Sequence, residues 1–261
     1  MIQNKKIVIT GASSGIGYEV MRILAADGSN TILAVSRNVQ KLEGMWPNVI
    51  PFSADLSTKE GIDATFIKAE ELLSKADIFI ANAGAPYYES YDYVNWDRVS
   101  SIFDLNTIGP IYTYSKYLHH LNGRDGHLVY TISAMGEMAI PGYSLYGATK
   151  FAMNGFQQSI RLEMPDNMKL TSVYPVSTKT NFACVAGEGE AINLPFPVQN
   201  ADDVAKAMVA GIEKGKALVY PCKLWPPSKV LFSAFKGARA LYWNIEIKNF
   251  KRYVASRKKK K

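Results

Sequence analysis

Apolar residues fall along this chain in two alternating patterns. Short, β-branched runs at 7–10, 31–36, 49–53, 78–82, 127–133, 170–174 and 217–220 are bounded by turn residues. That is the signature of strands buried on both faces. Amphipathic stretches near 15–26, 39–46, 57–73, 95–121, 143–163 and 201–214 separate them and read as helices. Strict alternation at this spacing predicts an α/β fold, a mostly parallel sheet with helices on both faces. No repeat or linker-like stretch divides the first 222 residues, so 1–222 is expected to form one domain and 223–261 an extension.

Composition narrows the class. With 261 residues, 48% hydrophobic and 20% charged, the chain is long enough and apolar enough for a substantial core. Its two cysteines, Cys184 and Cys222, are too few for a disulfide framework. With only His119, His120 and His127 beside them, no metal site is expected. The formal charge of +7 is unevenly spread. Twelve basic residues against Glu246 alone give the last 39 residues +11, which leaves −4 for the first 222. This is an acidic body with a basic tail rather than a basic nucleic-acid binder. Residues 1–6 show no secretory pattern and no run reaches membrane-spanning length, so a cytoplasmic protein is expected.

The first strand runs into Thr10-Gly11-Ala12-Ser13-Ser14-Gly15-Ile16-Gly17. Gly11 permits a tight turn, Gly15 lets a phosphate approach the backbone, and Gly17 lets the next helix pack on the sheet. Free N–H groups and the positive helix end would then face a pyrophosphate, so a dinucleotide site is expected. Four residues apart, Tyr146 and Lys150 share a helix face. A tyrosine with a pKa of about 10 is a poor acid or base near neutrality. A neighbouring ammonium favours the phenolate and makes it usable. Ser133, at a strand end, is placed to hold a carbonyl or alcohol oxygen beside it.

These segments resemble the short-chain dehydrogenase/reductase family. The TGxxxGxG turn, Asn82-Ala83-Gly84 (with Ala81 where that family usually has a first Asn), Asn106 in Asn106-Thr107-Ile108-Gly109, Ser133, and Tyr146-Gly147-Ala148-Thr149-Lys150 occur in the family's order over about 5–220. The resemblance implies a Rossmann-type doubly wound sheet of about seven strands in the order 3-2-1-4-5-6-7. It implies a catalytic set of Asn106, Ser133, Tyr146 and Lys150, with Lys150 also on the nicotinamide ribose and Asn106 holding a relay water. It places a cofactor against Thr10, Gly11, Ser13, Ser14, Gly15, Ile16, Gly17, Ser36, Arg37, Asp55, Leu56, Asn82, Ala83, Gly84, Tyr146, Lys150, Pro175, Val176, Thr178 and Thr180. Where the family usually reads PGxVxT, this chain reads Pro175-Val176-Ser177-Thr178-Lys179-Thr180, which leaves the local backbone path open.

At the tip of the second strand stands Ser36, followed by Arg37, with no carboxylate to repel a 2′-phosphate; NADP(H) is therefore expected over NAD. Asp55 is either an adenine partner or the cap of the helix near Ser57. Residues 182–196 are expected to form a mobile apolar flap through Phe182, Val185, Leu194 and Phe196. Met135, Met138, Tyr143, Tyr87 and Tyr88 are expected in the same pocket. No cation is placed for a substrate carboxylate.

The expected activity is NADP(H)-dependent interconversion of a carbonyl and a secondary alcohol on an apolar, lipid-, steroid- or xenobiotic-like substrate. A 3-oxoacyl carrier-protein reductase and a non-catalytic NADP-binding protein at a membrane surface are the alternatives. The resemblance also implies a homo-oligomer, a dimer or tetramer. In the tail, Leu224-Trp225-Pro226-Pro227 precedes an expected helix at 228–243 with Leu231, Ala234, Phe235, Ala238, Leu241 and Tyr242 on one stripe. Phe250, Tyr253 and the basic run at 257–261 follow. Peripheral contact with the inner face of an anionic membrane, docking on the body, and docking on a second subunit all fit this pattern; nucleic acid fits it poorly.

Overall fold

A computed structural model describes residues 2–91, 95–189 and 192–258. The strands β1 (Lys6–Thr10), β2 (Thr31–Ser36), β3 (Val49–Ser53), β4 (Ile78–Ala81), β5 (Gly126–Thr131), β6 (Met168–Val173) and β9 (Leu218–Val219) form one sheet. All its pairings are parallel, in the order β3-β2-β1-β4-β5-β6-β9. This is the anticipated Rossmann order, with the order reversing between β1 and β4. A reversal there opens a crevice at the carboxyl ends of the strands, where ligands bind in such sheets.

The central strands β1, β2 and β4 are almost continuously apolar because helices cover both faces. On one face α2 (Lys59–Leu73), α4 (Gly109–Leu121) and α5 (Ser144–Ile160) bury Phe66, Phe79, Tyr117 and Tyr130. Opposite them, α1 (Gly15–Ala25) and α7 (Ala201–Glu213) close over Ile7, Ile9, Ile32 and Met208. The expected helix at 39–46 is only a single 3₁₀ turn, Gln40–Leu42. Gly44 adopts φ +71 and Pro47 follows, so the stretch has no room for a second helical turn.

Two features were not anticipated from the pattern. The expected helix at 95–121 is α3 (Trp96–Phe103) and α4 joined by a π-turn over Asp104–Ile108, with the Gly109 N–H reaching back to the Asp104 carbonyl. A separate parallel pair, β7 (Ser177–Lys179) and β8 (Val198–Asn200), brackets α6 (Phe182–Ala186).

The tail is also different. Instead of one helix at 228–243 there are two, α8 (Trp225–Ala234) and α9 (Lys236–Lys258), broken at Phe235. Pro226 and Pro227 occupy the first turn of α8, where their missing N–H groups cost nothing. Gly237, a poor helix former, sits one residue inside α9 beside the break. Both helices dock on the body: Trp225 is buried with Ala134 and Met138, and Tyr253 with Tyr88 and Tyr143. Residues 259–261 of the basic run lie outside the described residues.

Candidate active site

The glycine turn has the geometry its sequence demands. Gly11 (φ +67) and Gly15 (φ +58) are left-handed, a conformation only glycine adopts freely. A Cβ on Gly17 would lie 2.3 Å from the Gly11 carbonyl oxygen, so α1 packs flush against the turn. Ser14 is the N-cap of α1 but makes no side-chain cap, which leaves the helix's first N–H groups facing the crevice. The Ser13 N–H donates to Ser36 Oγ (3.1 Å) and so ties the turn to the tip of β2.

Behind the turn, Thr10 Oγ1 accepts from the N–H groups of Asn82 (2.9 Å) and Ala83 (3.0 Å). Asn82 Nδ2 donates to the Thr10 carbonyl (3.1 Å), and its Oδ1 accepts from Thr131 Oγ1 (3.1 Å). Asn82 thus braces the turn against β5. At the other end, Arg37 is exposed on the cavity rim with Asp55. Asp55 accepts from the N–H (3.0 Å) and Oγ (2.7 Å) of Ser57, and these bonds hold its carboxyl below the usual range. The cap of α2 itself is Thr58, whose Oγ1 accepts from the Gly61 N–H.

Tyr146 and Lys150 lie one turn apart on α5, both buried. Lys150 Nζ donates to the Thr131 carbonyl (3.2 Å) and lies 5.6 Å from the centre of the Tyr146 ring. Burial governs both groups. It pushes the Tyr146 hydroxyl up to about 12, against the opposing hydrogen bond with Ser133, and pulls Lys150 down to about 8. The lowered tyrosine expected from the Tyr–Lys spacing is therefore not present: desolvation outweighs the Ser133 hydrogen bond, and Tyr146 carries its proton near neutrality.

Ser133 has φ 153 and ψ 154, a region populated almost solely by glycine, and its Oγ accepts from the Met135 N–H (3.1 Å). Strain of this kind costs of order 1–3 kcal/mol and collects where a side chain must be aimed. Asn106 sits in the π-turn, 1% exposed. Its side chain is fully engaged: Oδ1 accepts from Ala85 N–H (2.9 Å), and Nδ2 donates to the Ala85 carbonyl (2.8 Å) and Thr149 Oγ1 (3.2 Å). Gly84 lies against this pair, its missing Cβ 3.1 Å from Asn106 Oδ1 and 3.7 Å from Lys150 Nζ.

These groups line one cavity of about 380 Å³. Gly11, Ser13, Ser14, Gly15, Ile16, Ser36, Arg37, Asp55, Leu56, Asn82, Ala83, Gly84, Ser133, Tyr146, Lys150, Pro175, Val176, Thr178 and Thr180 all border it. Thr10, Gly17 and Asn106 do not; they act from behind. At Val176, where the family usually has glycine, the N–H donates to Gln199 Oε1 (3.3 Å) and β7 begins at the next residue.

The apolar end contains Met135, Met138, Tyr143, Phe182, Leu194 and Phe196 as expected. Tyr87, Tyr88 and Val185 are not part of it. Tyr87 packs under the Arg98 guanidinium, 4.2 Å from ring centre to carbon, and Tyr88 is enclosed by Tyr143, Phe250 and Tyr253. Val185 points to solvent on α6. Residues 190–191 of the expected flap lie outside the described residues. Sequence reasoning missed Trp225 and Tyr242, tail residues that complete the wall. Their signal was the aromatic spacing of the tail, which fits docking on the body but does not tell which of its aromatics enter the cavity.

Comparison with known proteins agrees with this fold. Dehydrogenase/reductase SDR family member 7B of Xenopus tropicalis is 28% identical over 271 residues, spanning 92% of this chain and 86% of that protein. The 11-beta-hydroxysteroid dehydrogenase-like 4A of Arabidopsis thaliana is 27% identical over 232 residues, 84% of this chain and 76% of its own. An alcohol dehydrogenase from the archaeon Thermococcus sibiricus, complexed with 5-hydroxy-NADP, superposes with a TM-score of 0.72 at 26% identity, covering 83% of this chain and 94% of that one. The short chain dehydrogenase model matches residues 5–191. By sequence, strand order and site geometry alike, the chain belongs to the short-chain dehydrogenase family of oxidoreductases.

Proposed function

We propose that the protein is an NADP(H)-dependent oxidoreductase that interconverts a carbonyl and a secondary alcohol on an apolar substrate. The observation that carries this reading is the place of Tyr146: a buried hydroxyl between a polar cradle and an apolar chamber, with Ser133 and Lys150 beside it. The cradle fits the cofactor. Two left-handed glycines, the flush Gly17 and the open N-terminus of α1 suit a pyrophosphate, and Arg37 with Ser36 suits a 2′-phosphate. The 5-hydroxy-NADP of the Thermococcus relative supports the same assignment.

When bound, NADP(H) supplies or accepts the hydride. Ser133 orients the substrate oxygen and Tyr146 gives its proton to that oxygen in reduction. Lys150 stabilises the phenolate left behind and holds the ribose. The Asn106 side chain, committed to Ala85 and Thr149, would steady the turn behind Lys150. Purified protein should oxidise NADPH when given methyl alkyl ketones. Tight NADPH binding without turnover across carbonyl and alcohol panels would instead favour the non-catalytic reading, and activity confined to acyl chains on a carrier the carrier-protein reductase.

We further propose that 1–222 carries the cofactor cradle and the reacting groups and self-associates, and that 223–261, besides closing the cavity, also meets the cytoplasmic face of an anionic membrane. Among the described residues no helix is long and apolar enough to cross one. Supporting the contact, Val230, Leu231, Phe235, Leu241 and Ile245 are exposed and flanked by exposed Lys223, Lys236, Lys248, Lys251 and Arg252. Vesicles containing phosphatidylglycerol should sediment the protein while pure phosphatidylcholine vesicles leave it in solution; equal behaviour with both would exclude the charge-assisted contact.

A further inference from the structure

Glu137, just past the turn that carries Ser133, gathers three donors from the segment leading into and forming α8. Its Oε1 accepts from Tyr220 OH (3.0 Å) and Lys229 Nζ (2.7 Å), and its Oε2 from Trp225 Nε1 (2.8 Å). The carboxylate is only 10% exposed, so these are charge-assisted bonds in a partly dry setting. Trp225, 4% exposed, lines the cavity with its one polar atom spent on Glu137. Tyr242 of α9 behaves alike: it lines the cavity, packs on Phe232 with ring centres 5.5 Å apart, and gives its hydroxyl to the Phe196 carbonyl (2.9 Å).

Both tail aromatics therefore offer the cavity their apolar surface alone. Among the described lining residues only Arg37, Asp55 and Lys150 are charged; the first two belong to the cradle and the third to the reacting centre. A substrate end resting against the tail meets Met138, Ile140, Trp225 and Tyr242 and no counter-charge.

We propose that the tail is the specificity wall of the active site: Trp225 and Tyr242 receive the uncharged, apolar end of the substrate remote from its carbonyl, and Glu137 is the positioning residue that fixes Trp225. This rests on the carbonyl–alcohol reading above and adds which residues select the substrate. A wall of this kind discriminates by length and by charge, since a carboxylate pressed against it loses its water and gains no partner.

The probes are methyl ethyl ketone, methyl octyl ketone and the ω-carboxylate of the latter. They are assayed for NADPH oxidation and, without cofactor, for change in tryptophan fluorescence. The wild type should prefer methyl octyl ketone to its carboxylate by about 100-fold in kcat/KM, in line with a site that strands an unpaired charge. Trp225→Ala should raise KM for the long ketone relative to the short one about 10-fold, with the ratio of their kcat values unmoved. Glu137→Ala should shift the same KM ratio, and Glu137→Gln, which still accepts from the indole, should restore most of it. Trp243→Phe, which alters a tail contact outside the cavity, controls for loosening of the tail.

In fluorescence, Trp225→Phe should lose the response to methyl octyl ketone and Trp243→Phe should keep it. If turnover proceeds and Trp225→Ala leaves the KM ratio unchanged, the wall assignment is overturned. If no ketone is reduced but the Trp225 signal responds, the wall stands and the reaction assigned above fails. Neither turnover nor a signal overturns both.

Discussion

Replacing Lys150 by Met should make the ligand-free protein more stable while removing its activity. The side chain is buried and its ammonium has one hydrogen bond, to the Thr131 carbonyl. Burial lowers its pKa from 10.5 to about 8. At about 1.4 kcal/mol per unit, a proton held in the folded state costs about 3 kcal/mol relative to the unfolded chain. Methionine matches the stem and removes the charge, while the lost hydrogen bond gives back about 1 kcal/mol. The net gain is about 2 kcal/mol, a rise in Tm of roughly 4–8 °C for a chain of this size.

The pH dependence carries the signature. Below pH 8 both states of the wild type hold the proton, so the cost is fully present. Between about 8 and 10.5 the folded protein sheds it first and the cost fades. The advantage of Lys150→Met should therefore be greatest near neutrality and vanish by about pH 10.5. Thermal and urea melts of both proteins across this range test it. A variant less stable than wild type at neutral pH, or an advantage that grows with pH, would refute the reasoning.

Gly17→Ala places a methyl 2.3 Å from the Gly11 carbonyl oxygen and 2.5 Å from Asn82 Nδ2, both braced. It should weaken NADPH binding by at least about 10-fold in a fluorescence titration and cost about 1–3 kcal/mol of stability by overpacking. Arg37→Glu puts a second carboxylate beside Asp55 at the cradle rim. The ratio of NADPH to NADH affinity should fall by roughly 10-fold or more, measured on the same protein with both cofactors.

The central strands were legible because a parallel sheet buried on both faces needs short, unbroken apolar runs, as at residues 31–36 and 78–81. The glycine turn and the Tyr146–Lys150 pair were legible because their chemistry constrains spacing within one local element. What stayed hidden depends on distant partners. The π-turn at Asn106 is held by Ala85 and Thr149, neither of which marks the sequence around 104–108 as unusual. The ionisation of Tyr146 was misjudged because spacing shows the nearby ammonium but not the depth of burial. The tail stripe mixed two destinations: Tyr242 turns into the cavity while Leu231, Phe235 and Leu241 remain exposed. Trp225 meets its partners, Glu137, Ala134 and Met138, over 80 residues upstream of α8, and nothing in the tail's own pattern points to them.

The central claim, that Tyr146 is the proton donor of a hydride-transfer site, is tested most directly by single turnover of Tyr146→Phe with saturating NADPH and methyl octyl ketone. The variant should bind NADPH within about two-fold of the wild type and reduce the ketone at least 100-fold more slowly, the scale of a missing general acid. Reduction within about ten-fold of the wild-type rate would contradict the assignment, because the ring would remain and only the proton would be gone.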